Sequence, residues 1–293
     1  MTFVMAIASV VWLRSEDGEL YGVFMFFGLE ENSISLEHTS MDYVAFGQGE
    51  QSLVILPGLS DGFKTVKGQA IPLLLYYRQF AKSFRVYVFS RKRTLTKNCS
   101  TREMAKDQNV ALEKLGIEQP YVMGVSQGGM IAQHLAIDFP GSVKKLVIAV
   151  SLAKQNKTIQ RVVNSWIQMA KVDNYQLLVI DTMEKTFTDK QLKRYRPFYP
   201  IIGRIGKPES FTRFLIQASA CPQHDAYQGL ETILCPTLVI GGECDRVVGK
   251  GTSQEIAARI KHSQLVVYGG LGHGAYEEAK DFNQQVKRFL VCT

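Results

Sequence analysis

One serine of this chain stands among glycines in the run GVSQGG, Gly124 to Gly129. The positions Gly124-x-Ser126-x-Gly128 fit a G-x-S-x-G turn, in which a sharp strand-to-helix reversal holds the serine in a strained backbone and crowds out any neighbour with a side chain. The pattern alone is weak, because Gly-Ser-Gly runs are common in loops. Its flanks add what it lacks: PYVMGV before it reads as a buried strand and QGGMIAQHLA after it as a helix. In that setting Ser126 is predicted to be a nucleophile, and the helix start beside it offers backbone N–H groups to an anion.

An activated serine needs a base and a group that orients the base. The chain has five histidines: His38, His134, His224, His262 and His273. His273 lies in GGLGHGAYEE, a glycine-rich loop between the last apolar run and the last helical segment, and is the predicted base. His134 falls within the helix after the serine and reads as a packed residue. His262 ends a helix, where it suits the dipole. His38 sits in an early hairpin, and His224 is a candidate substrate contact. The acid is expected in GGECDRVVG, where Asp245 follows a buried run at its carboxyl end, the end at which open α/β sheets place their sites. Glu243 reads as a turn residue. Two backbone donors are needed for an oxyanion. Gln127, next after the serine, supplies one, and Leu59 in the loop PGLSDGF supplies the other. Ser60 needs no role beyond the turn.

These residues require a scaffold. SLVILP (52–57), RVYVFS (85–90), YVMGVS (121–126), KLVIAV (145–150), PTLVIGG (236–242) and QLVVYGG (264–270) carry Val, Ile and Leu on successive positions. Such runs belong to strands buried on both faces. Helical spacing fills 70–82, 101–115, 128–138, 251–261 and 276–290 between them. Ser100-Thr101-Arg102-Glu103 matches a capping box, and Gly116 and Gly141 are expected to stop helices. Residues 33–46 alternate as a leading hairpin would. The fold class is therefore α/β, a doubly wound and mainly parallel sheet. From about Leu152 to Thr232 the rhythm breaks into helical spacing and aromatics. The expected organisation is an extension at 1–32, a core formed by 33–151 and 233–293, and an inserted helical cap at 152–232.

Composition excludes several function classes. The chain has 293 residues, 46% hydrophobic and 21% charged, an ordinary balance for a globular domain. The net charge of +7 is spread along the chain, with Arg91-Lys92-Arg93 the densest run, so no nucleic-acid partner is expected. The five cysteines are odd in number and lack metal-site spacing, which fits free thiols in a reducing, cytoplasmic setting. Cys244 reads as a packing residue. The apolar TFVMAIASVVWL is too short to span a bilayer comfortably. It is expected to be an extension, with Met25 or Met41 nearer a natural start; a secretory or membrane-associated segment is the alternative.

Together LPG, GVSQGGMIAQHLA, DFPGSVKKLVIAVS, CPTLVIGGECDRVV and GLGHGAYEEAKDFNQQVKRFL resemble the α/β-hydrolase superfamily from about Ser33 to Leu290. The chain looks most like its capped, single-domain members: esterases, enol-lactonases, carbon–carbon bond hydrolases and prolyl aminopeptidases. The order Ser126, Asp245, His273 is the order of that fold. The resemblance implies a cofactor-free hydrolase with a helical cap and a small-molecule acyl substrate. Two departures stand out. Pro57-Gly58 replaces the frequent His-Gly before the oxyanion residue, which keeps the donor but removes a supporting side chain. Ser90-Arg91-Lys92-Arg93-Thr94-Leu95 replaces the frequent Asp-x-x-Gly-x-Gly. Its basic residues either meet an acidic substrate or are solvated, and the solvated reading is favoured.

The cap chooses the substrate. Trp166, Met169, Phe187, Tyr195, Phe198, Tyr199, Phe211 and Phe214 are candidates for an apolar lining; of these Trp166, Phe198 and Phe214, with His224, are the predicted substrate-binding residues. No glutamate pair is placed for a free amino terminus, which disfavours an aminopeptidase. A small or medium ester, lactone or thioester is the expected substrate. A lyase or acyltransferase on the same triad, and a non-catalytic binding protein of this fold, are the alternatives.

Overall fold

The apolar runs pair into one eight-stranded sheet in the computed structural model, which describes residues 27–203 and 205–292. The expectations for the apolar N-terminal run and for Met25 lie outside the described residues. The strands are β1 (Glu30–Leu36), β2 (Thr39–Phe46), β3 (Ser52–Leu56), β4 (Arg85–Lys92), β5 (Tyr121–Val125), β6 (Lys145–Ala149), β7 (Thr237–Gly242) and β8 (Ser263–Tyr268). Their order is β1-β2-β4-β3-β5-β6-β7-β8. β2 pairs antiparallel with both β1 and β4, and so runs against the other strands, while all the remaining pairings are parallel. β1 starts at Glu30, inside the stretch read as extension.

Adjacent apolar residues of each strand point to opposite faces, so each face needs its own cover. Val54, Val122, Leu146 and Ile148 meet α2 (Thr101–Lys114), α3 (Gln127–Asp138) and α9 (Thr252–Arg259) through Met104, Leu112, Ile131, Leu135 and Ile256. Leu53, Ile55, Met123 and Val147 meet α1 (Ala70–Ala81) and α11 (Phe282–Val291) through Leu73, Tyr77, Phe80, Val286 and Leu290. Removing one such side chain, as in Ile55→Ala, costs about 2–5 kcal/mol.

Helix ends follow local chemistry, and two of them differ from the expected ends. Ser100 Oγ accepts from Glu103 N at 3.1 Å while Glu103 Oε2 accepts from Ser100 N at 2.7 Å, so both arms of the capping box form. α3 stops at Asp138, short of Gly141. Pro140 disfavours the helical region for Phe139, which takes φ −130° and ψ 67°. The last helical segment is broken: α10 (Ala275–Glu278) ends where Ala279 turns extended, and α11 begins after Asp281.

Between β6 and β7 the chain forms α4 (Lys157–Lys171), α5 (Tyr175–Thr186), α6 (Asp189–Tyr195), α7 (Tyr199–Ile202) and α8 (Thr212–Ala220), with short 3-10 turns. A bridge between Lys154 and Asp225 joins the two ends of this segment. Its apolar faces gather Ile159, Trp166, Leu178, Phe187 and Phe214 into a core of their own that also takes in Met130, Val247 and Val248. Among the described residues no helix is long and apolar enough to cross a membrane.

The strand order also locates a crevice. β3 lies beside β5, and the helices that follow these two strands, α1 and α3, cover opposite faces of the sheet. Loops at the carboxyl ends of strands flanking such a reversal diverge and leave room for a ligand. The loop after β3 carries Leu59, and the turn after β5 carries Ser126.

Candidate active site

Ser126 occupies the single residue between β5 and α3, with φ 54° and ψ −117°. This conformation costs a side-chain-bearing residue on the order of 1–3 kcal/mol. The surroundings hold it: Ser126 N donates to Ala149 O at 2.9 Å, and Ser126 O accepts from Ser151 Oγ at 2.9 Å. The glycines are required by contact. A Cβ on Gly124 would lie 2.3 Å from Gly128 O, and one on Gly128 would lie 1.9 Å from Leu56 O. The turn thus exposes the serine hydroxyl by packing backbone on backbone beneath it.

His273 and Asp245 converge on that hydroxyl. His273 Nε2 is 3.0 Å from Ser126 Oγ, and His273 Nδ1 is 2.8 Å from Asp245 Oδ2. The other oxygen, Asp245 Oδ1, accepts from Val247 N at 2.8 Å and Val248 N at 2.9 Å. With Oδ1 filled by two backbone N–H donors, Oδ2 is left facing Nδ1, an arrangement in which an Nδ1–H would donate to the carboxylate and Nε2 would accept from the serine. Asp245 and His273 are both buried. Glu243 is elsewhere occupied: its Oε2 accepts from Gly270 N at 3.1 Å across the turn.

The loop after β3 lies directly over the serine. A Cβ on Gly58 would sit 3.4 Å from Ser126 Cβ. Leu59 begins a 3-10 turn (Leu59–Gly62) and Gln127 begins α3. The first N–H groups of such turns have no acceptor within them, so the turn and the helix do not themselves use the N–H groups of Leu59 and Gln127.

A buried polar group underlies this loop. Arg91, expected in solvent, is only 4% exposed. Its Nη2 donates to Pro57 O at 2.5 Å and to Gln127 Oε1 at 3.3 Å. Asp61 Oδ2 accepts from Arg91 N at 3.1 Å, from Arg213 Nη2 at 2.5 Å and from Gln217 Nε2 at 3.2 Å. Burial opposes the charge on Asp61, but Arg213 and Arg91 together hold its carboxyl below the usual range. Burial also lowers Arg91, to about 10, with Asp61 opposing the shift; at neutral pH it stays charged. Gln127 Nε2 donates to Gln217 O at 2.7 Å and reaches Cys221 Sγ at 3.2 Å. Burial pushes the Cys221 thiol up to about 12, which keeps it protonated. Sequence reasoning missed Asp61, Arg213 and Gln217. One signal was present: an acidic residue two positions past Leu59 and a basic run ending β4 are natural ion partners.

The expected substrate-binding residues part company. Phe214 is buried and stacks on Phe63, centroids 4.4 Å apart at 9°, just beyond the Leu59 turn. Trp166 is buried in α4 and donates Nε1 to Asp181 Oδ2 at 2.7 Å. Phe198 is 50% exposed on a surface turn. His224 is enclosed between α2 and α3, with Nδ1 2.9 Å from Thr101 Oγ1 and its ring 5.0 Å from that of His134. The structure therefore does not bring Phe198 or His224 to the serine. Leu59 and Phe63 pack against the core of the inserted segment, which gives the site an apolar flank.

The model of the alpha/beta hydrolase fold family matches residues 51–280. The chain is 29% identical over 185 residues to a 2-hydroxymuconate semialdehyde hydrolase of Pseudomonas putida, covering 61% of this chain and 65% of that protein. It is 26% identical over 192 residues to a 2-hydroxy-6-oxononadienedioate/2-hydroxy-6-oxononatrienedioate hydrolase of Pseudomonas sp, covering 61% and 66%. It thus spans about two thirds of the length of these curated relatives. The enol-lactonase from Burkholderia xenovorans LB400 superposes with a TM-score of 0.76 at 18% identity, over 89% of this chain and all of that one.

Proposed function

Since the chain belongs to the α/β-hydrolase fold family, we propose that it is a cofactor-independent serine hydrolase of a small or medium carboxylic ester, lactone or thioester. Ser126 is the nucleophile, His273 the general base and Asp245 the residue that orients the base. The observation that carries this reading is the continuous hydrogen-bonded line from Ser126 Oγ through His273 to Asp245, at 3.0 and 2.8 Å.

The steps follow from those contacts. Ser126 Oγ attacks the acyl carbon while His273 Nε2 takes its proton. The carbonyl oxygen becomes an oxyanion facing the backbone N–H groups of Leu59 and Gln127. Collapse expels the alcohol or thiol, which receives the proton from His273, and leaves an acyl group on Ser126. Water then gives a proton to His273 and attacks the acyl carbon, and the reverse transfer frees the acid and the serine. Each backbone donor contributes roughly 100- to 1000-fold in rate. The inserted segment serves as a cap, and the apolar flank formed by Leu59, Phe63 and Phe214 favours an acyl group that is itself apolar. A 2-hydroxymuconate semialdehyde hydrolase and an enol-lactonase among the similar proteins support hydrolysis of carbonyl compounds as the class.

The test is Ser126→Ala, assayed against a panel of acyl-chain esters, lactones and thioesters. Turnover should disappear with the melting transition intact. Retained turnover would remove Ser126 from the mechanism. Assay in ¹⁸O-water adds the reaction type: hydrolysis places one solvent oxygen in the acid product, and lyase chemistry places none.

A further inference from the structure

We propose that Arg91 is a positioning residue that fixes both halves of the oxyanion site at once, taking over support that the loop's own sequence lacks. The inference rests on Ser126 as nucleophile with Leu59 and Gln127 as donors. Those donors come from segments far apart in the chain, the loop after β3 and the start of α3. Catalysis by such donors depends on their being held in place before charge develops. A single guanidinium bridges the two segments: Arg91 Nη2 donates to the carbonyl of Pro57, two residues before Leu59, and to the side chain of Gln127.

The bridge is closed into a ring. Asp61, two residues past Leu59, accepts the backbone N–H of Arg91. From α8, Arg213 donates to both Asp61 O and Asp61 Oδ2, and Gln217 Nε2 donates to Asp61 Oδ2 at 3.2 Å. Gln127 Nε2 returns to Gln217 O at 2.7 Å. The amide of Gln127 is thereby oriented, since its oxygen faces a donor and its nitrogen an acceptor. Pro57 and Gly58 carry no hydrogen-bonding side chain, and Arg91 supports this part of the loop through the Pro57 carbonyl.

Charge argues the same way. Asp61 is paired with both Arg91 and Arg213, so two cations face one anion. Their net positive charge lies next to the place where a tetrahedral intermediate becomes negative, in a region with little water to screen it. Replacing a buried ion group by apolar side chains is often neutral or stabilising, so stability alone gives no reason for this group.

The experiment measures the rate at which a fluorophosphonate labels Ser126, because the phosphonyl oxygen must enter the same two-donor site whatever the natural substrate. Wild type, Arg91→Met and Arg91→Lys are compared, each with its melting curve and the proton resonance of the His273 Nδ1–H bonded to Asp245. Arg91→Met should label about 100-fold more slowly, with the His273 resonance in place. Arg91→Lys, which keeps the charge and one donor, should recover at least tenfold of that loss. Equal rates in wild type and Arg91→Met overturn the proposal. So does a rate loss accompanied by loss of the His273 resonance, which marks a general loosening of the site. If Arg91→Met does not fold, Gln127→Met removes the acceptor instead; it should slow labelling about tenfold, and an unchanged rate again overturns the proposal. Failure of wild type itself to label at Ser126 refutes the nucleophile reading and this inference with it, whereas labelling at equal rates refutes this inference alone.

Discussion

The backbone N–H of Gly274 donates to the carbonyl of Thr186 at 2.8 Å, which ties the loop carrying His273 to the segment inserted between β6 and β7. Glu278 strengthens the tie, accepting from Thr188 N at 3.0 Å and Thr188 Oγ1 at 2.5 Å. Arg246, next to Asp245, donates to the carbonyls of Glu184 at 2.5 Å and Phe187 at 3.0 Å. One corner of the insertion therefore grips both the histidine loop and the aspartate loop. A Cβ on Gly274 would stand 2.9 Å from Thr186 O and 2.9 Å from Phe187 Cδ1. The carbonyl cannot swing aside as the end of a side chain can. Gly274→Ala should thus displace His273 and lower kcat by about 100-fold, with KM within a few-fold of wild type. Steady-state kinetics on any ester that the protein turns over decides this; an unchanged kcat would mean that the loop absorbs the methyl group.

Asp245→Asn tests the orienting role by changing one atom. Val247 N and Val248 N both donate to Asp245 Oδ1, so an asparagine must keep its oxygen there and turn its NH₂ toward His273 Nδ1. That arrangement makes Nδ1 an acceptor and puts the ring proton on Nε2, where it cannot receive the serine proton. The expected loss in kcat is on the order of ten-thousand-fold. Glu243→Gln keeps an acceptor for Gly270 N and should leave kcat within about threefold. If Glu243→Gln carried the loss and Asp245→Asn did not, the acid would be misassigned.

How far the chain could be read from its sequence depended on whether neighbours in sequence decided the feature. The strands around Val54, Val122 and Ile148 were legible because burial on both faces demands unbroken apolar runs. Ser126 was legible because a backbone reversal at φ 54° leaves its glycine requirement within three residues of the serine. His273 and Asp245 followed from loops at strand ends. Arg91 was misread because its run of three cations looks solvated, and only the fold brings Asp61 and Arg213 to it. The surroundings of Phe198 and His224 were not legible for a related reason. Aromatic spacing within a helical insertion does not say which face meets the site, and His224 pairs with Thr101, more than a hundred residues earlier in the chain. Pro140 was a local signal passed over in favour of Gly141.

Phe214 and Phe198 should respond oppositely to truncation. Phe214 is 1% exposed and stacks on Phe63, at the point where α8 meets the Leu59 turn. Gly62 shows how close that meeting is, since a Cβ there would lie 2.8 Å from Phe214 Cα. Phe214→Ala should cost about 3–5 kcal/mol, a drop in Tm on the order of 10 °C. Phe198→Ala, at a half-exposed position, should stay within about 0.5 kcal/mol. Calorimetry of the two variants compares them directly, and similar losses would show that Phe198 is held as firmly as Phe214.

Acid should destabilise the protein through a histidine pair remote from the chemistry. His134 on α3 and His224 stand edge to face at 5.0 Å, both buried. Burial lowers His134 to about 4, with Arg102 acting in the same direction and Asp138 and Asp225 against it. Burial, with His134 as neighbour, holds His224 well below the usual value. In the unfolded chain both histidines take up protons near pH 6.5. In the folded chain His134 stays unprotonated until about pH 4 and His224 is likewise held unprotonated below its usual range, so in the window below pH 6.5 the unfolded state binds more protons. Stability must therefore rise with pH across that window and fall as pH drops from 6.5 toward 4. Each pH unit separating the folded from the unfolded titration of a group is worth about 1.4 kcal/mol, which makes the effect of His134 alone a few kcal/mol. Urea unfolding at pH 7 and at pH 4.5 measures it. His134→Phe keeps an aromatic ring against His224 while removing one titrating group, so its loss of stability between the two pH values should be smaller than that of wild type. An equal loss in both would assign the acid sensitivity to other groups.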